Sequence, residues 1–410
     1  MKKPEDQLDA LFGETPGAAR LREASAFDEA SQGHRRIVIF GAGRLGRKIL
    51  AGIKNGDLDP VAFADNNSLL WGKTVDGLLV LSPEDAAKKY SSAATFVVAI
   101  WHPERSPLIG NILTQLRGMS CRTTGFPILF WRHSPAFLPY FFWDLPSKLL
   151  QFRADVEGAF KLLDDHASRQ AFVSHLELRL HAAFENAGNP AAVKQYYPGL
   201  FSLSPAECYV DCGAFTGDSI DSFLAEAGDA FRKVIAFEGD PAVLPDLEVF
   251  MSKFKARGVL HKAVVGSHPG TIRFAGDGVG GGRVNDAGGI DVPCIRLDDA
   301  LHGERVSFIK MDIEGTELQA LEGAQQIIKR DRPVLAVCGY HAPDHLWRVP
   351  TALKRLAPDS ELFLRTHCAD GLDAVYYAVP PERRVPVAGV STRSLTIAVT
   401  AHVHSHGSYS

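Results

Sequence analysis

Several things are scarce in this chain of 410 residues, and each scarcity excludes something. No apolar run reaches the roughly 20 residues that a helix needs to cross a bilayer. The nearest one, residues 126–143 (FPILFWRHSPAFLPYFFW), is broken by three prolines and carries Arg132 and His133. An excess of one charge is missing too: 44 basic residues stand against 48 acidic ones, a net charge of −4. No general attraction to nucleic acid or to an anionic membrane is expected from such a balance. The six cysteines include no C-x-x-C pair, which argues against a zinc knuckle and for reduced thiols. The first residues, MKKPEDQLDALFGETPG, are too polar for a signal peptide, so a cytoplasmic location is expected. No internal repeat is visible beyond two stretches of strand–helix alternation.

That alternation fixes the expected class: α/β, with two doubly wound sheets and an overall length suited to two or three domains. Residues 1–34 read as a polar, loosely attached leader. Residues 35–126 read as a Rossmann-like nucleotide-binding-type domain, and 127–204 as an aromatic segment followed by a helical connector. Residues 205–380 form the second α/β domain, and 381–410 a further strand (394–400) and a tail. The run ELFLRTH, a turn, then AVYYAVP predicts an antiparallel hairpin at one edge of a mostly parallel, seven-stranded sheet. The aromatic segment is expected to pack the two sheets together, and it permits a homodimer interface. His402, His404 and His406 belong to a solvated tail.

The strongest local signal is CYVDCGAFTGDS (208–219) with KVIAFEGDP (233–241). A strand runs into Asp211, a turn carries Gly213 and Gly217, and a helix starts at Asp218. The next strand ends in Glu238. Glycines let a backbone approach a ligand, a helix start offers N–H groups to an anion, and a carboxylate has two acceptors for a vicinal diol. Asp211 is expected near a ligand ammonium or fixing the turn. The D-x-G-x-x-x-G spacing resembles the S-adenosylmethionine site of class I methyltransferases, whose sheets also end in an antiparallel hairpin.

A second constellation, KMDIEGTEL (310–318), sets Asp312 and Glu314 at a strand end, where ligands of open α/β sheets lie. Lys310 points to the other face and is suited to pairing with an acid. Glu317 reads as a complement to a helix dipole. VDCGAFTGDS, VIAFEGDP, KAVVG with GTIRF, RLDDAL and FIKMDIEGTELQALEGA occur in the order typical of FkbM-type methyltransferases, a resemblance that covers about residues 209–341. It implies methyl transfer from S-adenosylmethionine to an oxygen of a sugar-derived or secondary metabolite, a small-molecule or glycan acceptor. Carried over residue by residue, Asp211, Gly213, Gly217, Glu238 and Asp312 would serve the cofactor. Asp312, Glu314 and His341 would line the reaction centre, with His341 titrating in the useful range for a base. The fifth strand departs from the family pattern, because Cys338 in CGYH stands where an acid is usual. No metal is expected, since no histidine-rich ligand set stands near Asp312 and Glu314. The glycine-rich stretch 276–289, with Arg283 and Asn285, is read as a mobile tip rather than a lid.

A G-x-G-x-x-G turn at Gly41, Gly43 and Gly46, with Asp65 nineteen residues on, makes a second fingerprint for a nucleotide. Arg44 and Arg47 sit where phosphates would lie. This region looks like small nucleotide-sugar-binding domains (FADNN with GKTVDGLLVLSPED). A site filled by a nucleotide or nucleotide-sugar and a purely structural turn both remain open. Two other functions stand beside methyl transfer: an NAD(P)-dependent oxidoreductase, for which no Tyr-x-x-x-Lys set is visible, and a non-catalytic nucleotide-sugar-binding protein.

Overall fold

The structure, a computed structural model, describes residues 2–53, 56–101, 108–185, 190–275 and 289–385, and the backbone of 283–284. The glycine-rich stretch 276–282 and 285–288, the expected strand at 394–400 and the tail histidines lie outside the described residues.

Near the amino terminus come strands β1 (Arg36–Phe40), β2 (Asp59–Ala64), β3 (Thr74–Val75), β4 (Leu78–Leu81), β5 (Thr95–Val98) and β6 (Arg122–Gly125). They form one sheet in the order β3-β4-β2-β1-β5-β6. All neighbours pair in parallel except β3 with β4. Residues 37–40 of β1 and all of β5 are buried, as strands covered on both faces must be.

The second half contains β7 (Cys208–Cys212), β8 (Lys233–Phe237), β9 (Gly258–His261), β10 (Val264–Val265), β11 (Gly270–Ala275), β12 (Arg283–Val284) and β13 (Ile290–Ile295). It closes with β14 (Phe308–Met311), β15 (Val334–Cys338), β16 (Glu361–Thr366) and β17 (Ala374–Val379). Seven of these make a sheet in the order β16-β17-β15-β14-β7-β8-β9. Strand β17 runs antiparallel to both β15 and β16, and the other pairs are parallel. The mixed α/β class and the antiparallel edge are those the sequence predicts. β10, β11, β12 and β13 form a separate four-stranded mixed sheet that the sequence reading missed. The run VLHKAVVG is split between the two sheets at Lys262 and Ala263.

Residues 4–31 correct the expectation of a loose leader. They fold into helices Pro4–Leu11 and Pro16–Ser31. The second is capped by Thr15, whose side chain accepts from Ala18 N at 3.2 Å. Its buried stripe is Ala19, Glu23, Phe27 and Ser31, evenly spaced at four but mostly small or polar, so no apolar periodicity betrays it. Glu23 reaches the connector, accepting from Ser147 N at 3.0 Å and Ser147 Oγ at 2.8 Å.

The aromatic segment packs as expected. Trp101, just past β5, meets Phe126, Tyr140, Phe141, Phe142 and Trp143 with ring centroids 5.3–6.4 Å apart. On the other side, Phe142 lies against His175 of helix His166–His181. The Trp101 Nε1 proton goes to Asp370 O at 3.1 Å, so one tryptophan ties the first sheet to the loop that joins β16 and β17. No helix among the described residues is long and apolar enough to cross a membrane.

Candidate functional site

The carboxyl ends of β7, β8 and β14 converge on one cavity of about 80 Å³ that opens to solvent. Its wall includes Gly213, Glu238, Asp312 and Glu314. An apolar side is supplied by Phe215, Phe237, Val264 and Phe274. Phe274 belongs to β11, so the small mixed sheet helps to close the cavity.

The glycine turn leaves no room for side chains. Gly213 has φ +80°, and a Cβ there would stand 2.0 Å from Asp312 O. Gly217 has φ +99°, precedes helix Asp218–Ala227, and a Cβ would strike the Phe250 ring at 2.6 Å. Asp211 is fully buried and stands behind the turn, outside the cavity wall. It pairs with Lys310 Nζ at 2.9 Å and accepts from Ser219 Oγ at 2.5 Å. Lys310 also donates to Gly213 O at 2.7 Å. Of the two roles weighed for Asp211, fixing the turn is therefore the one its contacts match. Burial pushes the Asp211 carboxyl up, opposed by Lys310 and Ser219. Burial also works against the charge on Lys310, yet Asp211 and Asp312 outweigh it and hold the ammonium above its ordinary value. The pair is a buried ion pair whose members need each other.

Glu238 holds three backbone N–H groups: Phe215 N at 2.9 Å on Oε2, and Gly239 N and Asp240 N at 2.8 Å each on Oε1. A carboxylate has about four acceptor sites, so these contacts leave about one for a ligand, on Oε2.

Asp312 and Glu314 sit where β14 gives way to a tight turn. Glu314 (φ +57°) and Gly315 (φ +112°) are both left-handed, a strained arrangement for a glutamate that is typical of functional turns. Asp312 accepts from Tyr196 OH at 2.9 Å and Tyr340 OH at 3.3 Å. Burial pushes its carboxyl up, but Lys310, His341 and Tyr196 prevail and hold it below the ordinary aspartate value.

His341 follows β15 with its ring buried. Its Nδ1 lies 2.7 Å from Glu317 Oε1, and its Nε2 lies 3.3 Å from Asp312 Oδ1 and 3.7 Å from Glu314 Oε1. Burial disfavours the imidazolium, but Glu317, Glu314 and Asp312 outweigh it and raise the pKa to about 9. His341 is thus a cation at neutral pH, not the mid-range titrating group that was expected. Glu317 does more than complement a dipole. It is fully buried, takes His341 on one oxygen and Ile313 N at 3.1 Å on the same oxygen, and faces His345 Nδ1 at 3.5 Å with the other. The Phe141 ring approaches the His341 ring, with centroids 6.4 Å apart.

Glu317, Tyr196, Tyr340 and Phe141 are the site residues that sequence reasoning missed as such. Only Glu317 carried a signal, four residues after Ile313 in the motif already singled out. Tyr196 lies in a loop without periodicity. Cys338, where the chain departs from the family pattern, is buried with Sγ 3.9 Å from Tyr196 OH.

At the other glycine turn, Asp65 accepts from Ala42 N at 2.8 Å and from Asn67 N at 2.8 Å. Gly41 (φ +113°) is pressed against Ala99 and Ile100, and a Cβ on Gly46 would lie 1.9 Å from Gly41 O. Arg47 pairs with Asp76 at 2.8 Å on the surface.

Residues 211–357 match the family model described as the methyltransferase FkbM domain. No curated protein matches the chain. Among solved structures, methyltransferase FkbM from Methylobacillus flagellatus KT is similar over 92% of this chain and 98% of its own, at 22% identity and a TM-score of 0.71. An rRNA methylase from Streptococcus thermophilus is similar over 43% of this chain and 89% of its own, at 16% identity and a TM-score of 0.28. A SAM dependent methyltransferase from Aquifex aeolicus covers 43% and 84%, at 13% identity and a TM-score of 0.26. Residues 211–357 thus carry the match to a methyltransferase FkbM domain, and the fold is shared along nearly the whole length of the Methylobacillus protein.

Proposed function

We propose that the chain uses S-adenosylmethionine to methylate a hydroxyl oxygen of a sugar-derived or secondary metabolite. The observation that carries this reading is the single cavity shared by Gly213, Glu238, Asp312 and Glu314, with the His341 ring held against both acids. The residues present fit the cofactor. The flat apolar wall of Phe237, Val264 and Phe274 suits a purine, and the open acceptor site on Glu238 suits one ribose hydroxyl. When bound, S-adenosylmethionine supplies an electrophilic methyl group.

The residues align the acceptor and manage its proton. Asp312, fixed by Tyr196 and Tyr340, is an ionised acceptor at the cavity wall and orients an incoming hydroxyl. His341 is already protonated at neutral pH, so it does not take the hydroxyl proton there. In this reading Asp312 or Glu314 receives that proton, and the His341 imidazolium, steadied by Glu317, stabilises the negative charge beside it.

Calorimetric titration of the folded, cofactor-free chain with S-adenosylhomocysteine tests the proposal. Saturable one-site binding is expected. Absence of binding would sink it.

A further inference from the structure

A second cavity, of about 530 Å³, lies between the connector and helix His345–Leu356. Its wall contains Arg179, Phe142, Phe152, Trp347, Lys148 and Arg348. Arg179 is only 2% exposed. Its guanidinium lies over the Phe142 ring, 4.4 Å from the centroid. Its Nη1 donates to His175 O at 3.3 Å and meets His175 Nδ1 at 3.1 Å. His175 is no counter-ion: burial and the neighbouring Arg179 keep its pKa well below the ordinary value, so it is neutral. The Nε and Nη2 groups of Arg179 are buried and have no hydrogen-bond partner, and no carboxylate pairs with it among the described residues.

Those two donors are the edge with which a guanidinium grips a carboxylate or phosphate through two parallel bonds. At four other arginines that edge is closed on a carboxylate. Arg22 closes it on Glu14, Arg47 on Asp76, Arg330 on Asp331 and Arg332 on Glu382. All four of those arginines are more exposed than Arg179. A buried charge without a partner is costly, and the cost is relieved when a ligand brings the missing anion. The other charges of the wall are already matched: Lys148 with Asp144 at 2.9 Å and Arg348 with Asp344 at 2.7 Å. Stacked Phe152 and Trp347 (centroids 5.3 Å apart, 26° between planes) give the cavity an apolar face.

We propose that this cavity is a second ligand site, one that takes a small organic anion bearing a carboxylate or phosphate on a ring or other apolar body, with Arg179 as its anchor. The site is separate from the cofactor cavity and does not rest on the methyl-transfer reading. Arg179 keeps its charge for the purpose, since burial lowers its pKa only to about 9.

The test uses phenyl phosphate and benzoate as probes on the full chain, with benzyl alcohol as the uncharged ring control, read by calorimetry. Saturable binding of at least one anion is expected, with a Kd on the order of 1 mM or tighter. Benzyl alcohol should bind at least about tenfold more weakly, and Arg179→Met should weaken the anion by at least about tenfold. Because Arg179→Met also removes an unpaired buried charge, its melting temperature should equal or exceed that of the parent. If that variant does not fold, the double variant Lys148→Gln with Arg348→Gln, both on the exposed rim, should weaken the anion about two- to fivefold. The proposal is overturned if neither anion saturates, if Arg179→Met binds as tightly as the parent, or if the rim variant leaves affinity unchanged.

Discussion

Two glycine turns with an acid at the next strand end occur in this molecule, and their acids behave alike. Asp65 holds the N–H of Ala42, and Glu238 holds that of Phe215. Each carboxylate steadies its own turn. The difference lies at the neighbouring strand end. Strand β14 runs into Asp312 and Glu314, with His341 beside them, whereas β5 runs into Ala99, Ile100 and Trp101. The Gly213–Gly217 turn therefore opens on chemistry, and the Gly41–Gly46 turn is pressed against apolar packing. A glycine turn with an acid marks a doubly wound sheet; what stands on the adjacent strand decides whether a reaction can happen there.

The largest effect that would sharpen this contrast comes from the ion pairs behind the turns. Lys310→Met strands Asp211 in the interior and should cost about 3–5 kcal/mol in denaturant unfolding. Arg47→Met breaks only an exposed pair and should leave unfolding nearly unchanged. Equal losses would show that the two turns are braced alike.

Next come the glycines. Gly213→Ala combines a left-handed φ with a clash against Asp312 O, and should lower stability by about 3 kcal/mol or more. At Gly43 a Cβ meets nothing within 4 Å, so Gly43→Ala should be neutral or slightly stabilising in thermal unfolding.

The pH dependence of stability should also divide the regions. The pKa of His341 is raised in the fold, so its contribution is full below about 6.5 and is lost as pH rises through about 9, on the order of 3 kcal/mol. Glu317→Gln should shrink that loss, because it removes the largest attraction on the imidazolium. His133 of the first region lies 3.6 Å from Asp57, but burial, aided by Arg132, lowers its pKa, so it costs stability on the acid side instead. Unfolding of Glu317→Gln and the parent, followed from pH 6 to 9.5, measures the difference; parallel curves would remove the charged His341.

The smallest expected effects are on ligand affinity. Glu238→Ala should weaken S-adenosylhomocysteine about tenfold, the worth of one charge-assisted hydrogen bond, whereas Asp65→Ala should leave it within about twofold. A comparable loss in both would break the distinction between the two turns.

Much of the fold was legible because its signals are local. Apolar runs such as RIVIF, CYVDC and VLAVC announce strands buried on both faces, and glycines with left-handed φ mark the turns. The leader was misread because its buried stripe contains a glutamate and a serine whose partners lie in the connector. The small sheet was missed because β10 is only two residues long and follows β9 after two residues, and because β13 contains Pro293.

By itself the sequence determined the two strand–helix alternations, the antiparallel edge, and the placing of Gly213, Glu238, Asp312 and Glu314 at strand ends and turns. Those follow from periodicity and from spacings within single strand–turn–helix units. Only the tertiary structure decided which way the groups are charged and what they hold. Tyr196 reaches Asp312 across 116 positions, Glu317 meets His341 across 24, and no acid among the described residues pairs with Arg179. The charge on a buried group depends on which atoms replace its lost water, and that is a property of the assembled interior rather than of any local run of residues.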